Sequence, residues 1–403
     1  MISIRQLETL PLTRGSRVFY RVDYNVPLEG SRVSDATRIE ETLPTLRHLR
    51  ECGAAIVIAS HLGRPKGARN AKYSLLPVRE KLAGLLGADV QWAEDCIGPD
   101  AEAKAAALGA GEVLLLENLR FHEGEEKNDP LFAAELRKLA DAYVNDAFGA
   151  CHRAHASIDA LPRLFPKEQT AGGLLLVREL EFLQKVTNID ERPFVALMGG
   201  AKIAGKIEPL EALVKLADTI LIGGGMANTF LAARGVPMGG SLVDNESLDV
   251  ARRIMESGHR AAIILPADMV TADSLDHPTE IDEEANVADG FSEGEKALDI
   301  GPKTIALFET ELRGAKLIFW NGPMGVFEKP AFAKGTMAMA KAVALAGATS
   351  GAITVVGGGE SVEAVKASGF ADKITHISTG GGASLEFIAG ETLPGVEVLK
   401  DEG

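Results

Sequence analysis

The chain has 403 residues, 46% of them hydrophobic and 25% charged, with a formal net charge of −15. That length suffices for two or three domains and the composition is globular, which excludes a disordered chain, while the acidic balance excludes a nucleic-acid partner because phosphate backbones select basic surfaces. No apolar run approaches the roughly 20 residues that cross a bilayer, and the early Arg5, Arg14, Arg17 and Arg21 without an apolar stretch speak against membrane insertion and secretion. Cys52, Cys96 and Cys151 are odd in number and far apart, so they form neither a disulfide framework nor a CxxC metal site, and a cytoplasmic location fits.

In chain order, strands are predicted over 18–22, 55–59, 113–116 and 142–144, each a short β-rich run between longer helical patterns. The unusual residues follow these runs: DYN at 23–25, SHLGRP at 60–65, ENLRFH at 117–122 and NDAFGACHRAH at 145–155. Open α/β sheets bind ligands at the carboxyl ends of their strands, so the four loops are expected on one face. Arg38, Arg64, Arg120 and Arg153, with His61, His152 and His155, would make a basic basin there. Asp23 and Asn25 would add acceptors for a substrate hydroxyl. Each residue alone is more simply a salt bridge or a helix cap; four loops in register with strand ends shift the balance to function.

Charge distribution agrees. Residues 1–170 carry 22 Lys and Arg against 24 Asp and Glu, and 15 of the 22 are Arg; the remainder carries 20 against 33. Arginine's planar fork suits bidentate contacts to carboxylate and phosphate, so an anionic small substrate is expected on the first half.

Leu176, Leu180 and Leu183 at helical spacing predict a helix over 173–186 that joins two domains, and Arg192-Pro193 stops any helix before the second sheet. Strands are then predicted over 194–198, 219–222, 262–265, 317–320, 353–356 and 375–377. Glycine-rich loops follow most of them: GGAK at 199–202, GGGMAN at 223–228, NGPMGVFE at 321–328, GGGES at 357–361 and TGGGAS at 379–384. Glycine lets backbone N–H groups approach phosphate oxygens, and a helix N-terminus adds a favourable dipole. Any one such loop is as well explained as a tight turn, but five in series predict a nucleotide face. Gly200, Gly205 and Lys206 meet GxxxxGK, yet Ile207 stands where a P-loop NTPase needs a hydroxyl. Asn228 likewise breaks a GxGxxG, which disfavours a dinucleotide fold. The expected class is α/β: two doubly wound parallel-sheet, Rossmann-like domains joined by a helix and hinge.

An anion basin on one domain and a nucleotide face on another describe a two-substrate phosphotransferase. RVDYNVP at 21–27, SHLGRP, LLENLRFH at 115–122, YVNDAFG with HRAH, GGAK, IGGGMA at 222–227, WNGPMGVFE at 320–328 and STGGGAS at 378–384 resemble phosphoglycerate kinase, in order and over essentially the whole chain. The resemblance implies reversible phosphoryl transfer between 1,3-bisphosphoglycerate and ADP in glycolysis, by a monomeric Mg2+-dependent enzyme. It implies domains at 1–171 (phosphoglycerate), 172–187 (joining helix), 188–388 (nucleotide) and 389–403 (a tail returning to the first domain).

By the same resemblance Asp23, Asn25, Arg38, His61, Arg64, Arg120 and Arg153 hold the phosphoglycerate. Lys206, Gly223, Gly224, Asn321, Pro323, Glu328, Gly358, Gly359, Glu360 and Ser361 contact ADP or ATP, and Glu360 serves the Mg2+. The nucleophile toward ATP is a carboxylate, ionised at neutral pH, so no general base is needed. Arg38, Lys202 and the backbone N–H groups of Gly380 to Gly382, Gly382 above all, are the expected catalytic groups. Two departures stand out: Glu360 where the family usually has Asp, and Gly205 where it usually has a polar residue. A binding protein without turnover, and a kinase for another carboxylate, are the two rivals.

Overall fold

A computed structural model describes residues 2–258 and 260–401. The chain forms two units, divided between Glu181 and Phe182 and again between Glu391 and Thr392, the last stretch belonging with the first unit.

In the first unit the strands are β1 (Arg17–Arg21), β2 (Leu28–Glu29), β3 (Arg32–Val33), β4 (Ala55–Ala59), β5 (Gln91–Ala93), β6 (Val113–Leu116), β7 (Ala142–Asn145) and β8 (Thr170–Gly172). Six of them form one parallel sheet in the order β5-β6-β4-β1-β7-β8, and β2 and β3 pair as a small hairpin. Every residue of β4 (AIVIA) and β6 (VLLL) is buried. Such unbroken apolar runs suit strands covered on both faces, which parallel connection by crossover helices requires. The chain builds outward from β1 through β4 to the edge strand β5, inserts β6 between those two, then returns to the other side of β1 with β7. The reversal therefore lies beside β1, where a doubly wound sheet opens its ligand crevice.

Helix Leu43–Glu51 buries Leu43, Leu46 and Leu49 on one stripe, and helix Leu76–Leu86 stops at Gly87, whose φ of 65° lets its N–H cap the Ala83 carbonyl. The C-terminal stretch is tied in by backbone: Gly395 N–H donates to Cys151 O and Arg5 N–H to Leu399 O, both at 3.0 Å. Arg5 adds side-chain bonds to the carbonyls of Lys400 (2.6 Å) and Val398 (2.7 Å). The chain leaves the first unit within helix Leu174–Thr187, whose Leu176, Leu180 and Leu183 are all buried.

The second unit contains β9 (Phe194–Met198), β10 (Thr219–Ile222), β11 (Ala262–Ile264), β12 (Asp268–Ala272), β13 (Ile281–Asn286), β14 (Lys296–Ile300), β15 (Leu317–Asn321), β16 (Ile353–Gly357) and β17 (His376–Ile377). Its parallel sheet runs β11-β10-β9-β15-β16-β17, again doubly wound, with the reversal between β9 and β15. Trp320, fully buried, gives its indole N–H to Gly322 O at 2.7 Å and pins the chain just after β15.

The sequence reading expected parallel sheets alone; β12, β13 and β14 add an antiparallel sheet in the order β13-β12-β14. The reason it was missed is visible in β13, IDEEAN, where only Ala285 is buried, so no period-two alternation marks it. Edge strands β5 and β8 were missed as well, being three residues each.

Candidate functional site

The four loops after β1, β4, β6 and β7 meet at the carboxyl edge of the first sheet and interlock. Arg38 Nη1 donates to Asp23 Oδ2 at 2.7 Å, and the Asn25 N–H donates to Asp23 Oδ1 at 3.1 Å. Asn25 Oδ1 accepts from the Gly63 N–H (2.9 Å), while Arg120 Nη1 donates to Gly63 O (2.9 Å). His61 Nε2 lies 3.8 Å from Asp23. Arg64 and Arg153 are exposed at the rim, Arg153 Nε resting on His152 Nε2 at 3.1 Å.

Beneath this lies a network absent from the sequence reading. Arg21 is fully buried, its Nε on Ser157 Oγ at 2.8 Å, its Nη2 3.2 Å from His61 Nδ1 and 3.8 Å from the buried Glu125. Glu125 in turn accepts from both Ser157 N (2.9 Å) and Ser157 Oγ (2.5 Å). A buried charge needs such full pairing, so removing one member would strand the others. Asn118 does similar work for Arg120, accepting its N–H at 3.0 Å and donating to Leu62 O and Tyr73 O.

The electrostatics correct one expectation. Burial, reinforced by neighbouring guanidinium groups, pushes His155 down to about 3 and holds His61 and His152 below the usual histidine range. At neutral pH the three imidazoles are uncharged, so arginines alone supply the positive charge of the basin. Arg120 Nε, His152 Nδ1 and His155 Nδ1 are buried without a hydrogen-bond partner in the protein, donors or acceptors that an anionic, hydroxylated ligand would satisfy.

Asp23 shows the opposite shift. Its burial would raise its pKa, but the Arg38 guanidinium, with smaller contributions from His61 and the Asn25 N–H, brings it from 3.8 down to about 2. A depressed carboxyl contributes stability that is present above pH 4 and disappears as the pH falls toward 2. Asp23→Asn is therefore expected to lose about 2 kcal/mol at pH 7 and almost nothing near pH 2. Urea unfolding at the two pH values tests this; an equal loss at both would rule the pair out as its source.

The second unit carries the glycine loops at the carboxyl edge of its own sheet. The turns after β9 and β10 lie against the turn after β15 through backbone: Gly199 N–H donates to Asn321 O, Gly200 N–H to Pro323 O, and Gly224 N–H to Met324 O, each at 2.9 Å. Side chains would not fit. A Cβ on Gly199 would stand 2.1 Å from Pro323 O, and one on Gly225 2.6 Å from Ala201 O. Gly199→Ala should consequently destabilise the protein by at least ~1–3 kcal/mol, the usual cost of overpacking. Chemical denaturation checks this, and unchanged stability would show the turn to be pliable. Gly205, by contrast, has open space where a Cβ would sit, so the glycine at this departure is not dictated by packing.

Lys206 precedes helix Ile207–Leu216 at its N-cap position, and its Nζ donates to Gly199 O at 2.8 Å instead of capping the helix. Burial brings it down to about 8, and the Glu360 carboxylate opposes that shift, so the two charges sense each other. Asn321 Nδ2 donates to Gly357 O (2.9 Å), and the Gly322 N–H to the buried Ser361 Oγ. Helix Gly359–Ala367 starts here, after Gly358 with φ 91°, and presents unpaired N–H groups suited to phosphate. Glu328 and Glu360, both exposed, line one groove with Gly200, Gly224 and Pro323. Gly223 opens helix Gly224–Ala233, packed on Met324. Lys202 is exposed, between buried Ile203 and the fixed Gly200. Gly382 begins the short helix Gly382–Ile388, and the preceding turn is braced by Ser378 Oγ, which bonds Ser384 Oγ at 2.7 Å and accepts from Gly380 N–H at 3.1 Å.

Two further polar residues line the groove, Asn228, which the sequence marked only as breaking a glycine pattern, and Asp299, which it did not mark. Asn228 donates to Leu242 O and Ala297 O while its buried Oδ1 has no partner in the protein. Asp299, pushed up to about 7 by burial, accepts from Gly335 N (2.7 Å) and Ile300 N (2.9 Å).

A family model described as phosphoglycerate kinase matches residues 8–391. A phosphoglycerate kinase of Koribacter versatilis is 51% identical over 100% of this chain and 99% of its own, and one of Solibacter usitatus is 50% identical over 99% of each. Among solved structures, the phosphoglycerate kinase from Coxiella burnetii is 36% identical with a TM-score of 0.85, covering 98% of this chain and 99% of that one. The phosphoglycerate kinase from Pyrococcus horikoshii OT3 is 33% identical with a TM-score of 0.86, covering 98% of both.

Proposed function

Because the chain belongs to the phosphoglycerate kinase family, we propose that its arginine-lined edge holds the phosphoglycerate and its glycine-lined edge the nucleotide. The reaction is reversible phosphoryl transfer from 1,3-bisphosphoglycerate to ADP, giving 3-phosphoglycerate and ATP, a step of glycolysis. The observation that carries the assignment of ligands is the contrast between the two carboxyl edges. Arg38 and Arg120 are anchored on Asp23 and Gly63 in one unit, while the other offers backbone N–H groups in turns too tight for side chains. Asp23, Asn25, His61, Arg64 and Arg153 complete the first set. Lys206, Gly223, Gly224, Asn321, Pro323, Glu328, Gly358, Gly359 and Ser361 complete the second.

The attacking carboxylate is ionised already, so these residues need supply no base. The neutral histidines agree with that division of labour: they can hydrogen-bond hydroxyl or phosphate, and no proton has to leave through them. Arg38, Lys202 and the Gly382 N–H are assigned to the oxygens of the phosphoryl group in flight, where fixed positive charge lowers the barrier. Transfer requires the two ligands to meet, so closure about the joining helix belongs to the proposal, with water kept from the acyl phosphate. The protein is further taken as a cytoplasmic monomer, which size-exclusion chromatography with light scattering would check for oligomeric state.

Mg2+ prefers one or two carboxylates plus phosphate oxygens and water. Glu360 fits that habit: an exposed carboxylate lining the groove and electrostatically coupled to Lys206. It would hold the ion, which when bound neutralises phosphate charge. Glu360→Gln is expected to raise the Mg2+ concentration for half-maximal rate by at least ~10-fold, as losing a metal partner does. An unchanged Mg2+ titration would remove Glu360 from the metal.

The activity is tested by ATP-dependent phosphorylation of 3-phosphoglycerate, coupled to NADH oxidation through glyceraldehyde-3-phosphate dehydrogenase. A folded protein that binds both ligands without turnover, under Mg2+ or Mn2+, would favour the binding-protein alternative. Faster turnover on another carboxylate in a substrate panel would favour a different kinase.

A further inference from the structure

One cluster of chemistry-bearing side chains lies at the β5 end of the first sheet's carboxyl edge and has no part in the sites proposed above. Asp95 and Cys96 follow strand β5, and His122 closes the turn Leu119–Phe121 after β6, so two neighbouring strands deliver three different donors to one spot. His122 Nε2 lies 2.6 Å from Asp95 Oδ1, which also accepts from the Cys96 N–H at 2.7 Å. One ligand atom from each residue falls within 4.8 Å of the others. The thiol is fully buried, whereas Asp95 and His122 are 42% and 30% exposed, so the cluster is reached from solvent through the carboxylate and the imidazole. Phe132 stacks on the His122 ring at 5.3 Å between centroids and holds its orientation.

We propose that Asp95, Cys96 and His122 form a binding site for a thiophilic divalent cation of the zinc type, separate from the nucleotide's magnesium. The donor set decides the class of ion. Thiolate with imidazole and carboxylate suits Zn2+ or Co2+, while Mg2+ and Ca2+ take oxygen alone. Three protein ligands leave a fourth tetrahedral position for water. Bonds of roughly 2.0–2.3 Å place tetrahedral ligand atoms about 3.2–3.8 Å apart, so His122 and Asp95 need part by only about 1 Å and the thiol approach by as much.

On binding, the Cys96 S–H proton leaves to solvent and the sulfur lone pair bonds the metal. The proton between His122 Nε2 and Asp95 Oδ1 moves to His122 Nδ1 or, from an imidazolium, to solvent, and the freed imidazole nitrogen and a carboxylate oxygen become ligands. Thiolate and carboxylate then balance the dication. Arg69, whose charge reaches Asp95, opposes the ion, and the buried Glu125, whose charge reaches Cys96, favours it. Occupancy would tie the end of β5 to the turn that carries Arg120.

The test uses the full chain without nucleotide or chelator, titrated with Co2+ and then Zn2+. One equivalent of Co2+ should produce a thiolate-to-metal charge-transfer band in the near ultraviolet, displaced by Zn2+, and Zn2+ should raise the unfolding temperature. Cys96→Ser should abolish the band. Cys52→Ser should leave it, which matters because Cys52 is exposed, with its sulfur 3.6 Å from His48 Nε2. His122→Gln, at a partly exposed position, serves if Cys96→Ser does not fold, and should weaken Co2+ binding by ~100-fold or more. No band, a band that follows Cys52 and not Cys96, or unchanged affinity in His122→Gln would overturn the proposal.

Discussion

Arg38→Ala is expected to lower kcat by about 10³-fold, the low end of what removing a catalytic arginine costs in phosphoryl transfer. The geometry explains why the loss should fall on kcat. Arg38 is aimed by its 2.7 Å bond to Asp23, itself anchored by the Asn25 N–H, and its side chain is still 32% exposed toward the basin. Phosphoglycerate keeps Arg64, Arg120 and Arg153, so its KM should rise far less than kcat falls; a change mainly in KM would make Arg38 a binding residue only. Arg38→Lys should not restore the rate, because an ammonium can hold Asp23 or the reacting group but lacks the planar fork that addresses both. The variant must also pass a stability control. Without Arg38 the buried Asp23 loses the charge that holds it near 2, so part of the acid-dependent stability described above should vanish too. Turnover within threefold of the parent would end the catalytic assignment.

Lys202→Ala should reduce kcat by ~10²–10³-fold, the cost of losing one preorganised group at a developing charge, with nucleotide affinity within about threefold of the parent. The two lysines of the turn differ in a way their common chemistry hides. Lys206 is half-buried and spends its ammonium on Gly199 O, next to Glu360, so it belongs to the architecture of the proposed nucleotide face. Lys202 is exposed, and among the described residues it has no carboxylate partner, so its charge is available to a phosphoryl group. Single-turnover kinetics with saturating substrates separate the roles: Lys206→Ala should weaken nucleotide binding, Lys202→Ala the chemical step. Equal effects of both variants on affinity, with kcat preserved, would contradict this division.

Much of the fold was legible from local pattern. The runs at 55–59, 113–116, 194–198 and 219–222 are strands with the expected bounds, because unbroken apolar stretches of four or five residues between helical patterns fit strands buried on both faces. The site loops were legible for a related reason. In a parallel sheet every carboxyl end lies on the same edge, so residues such as Asp23, His61, Arg120 and Arg153, which are far apart in the chain, share a face once the strands are parallel. The antiparallel β12 to β14 sheet was not legible, since β13 is exposed almost throughout and carries no alternation.

By itself, then, the sequence determined what depends on neighbours along the chain: the alternation of strands and helices, the loops that bear arginine or glycine, and the likeness to a kinase family. Tertiary structure alone decided what depends on burial and distant partners. Arg21 is the hub of a network with Ser157, His61 and Glu125, and Asp299 and Asn228 enter the glycine-loop groove from a separate strand and helix. The basin histidines, grouped from sequence with the arginines, are neutral because desolvation lowers them, at His61 against the nearby Asp23 carboxylate and at His155 together with neighbouring guanidinium groups. The physical reason is common to all of these: the cost of a charge is set by the solvent it loses and the partner it meets, and both are fixed only when distant segments pack.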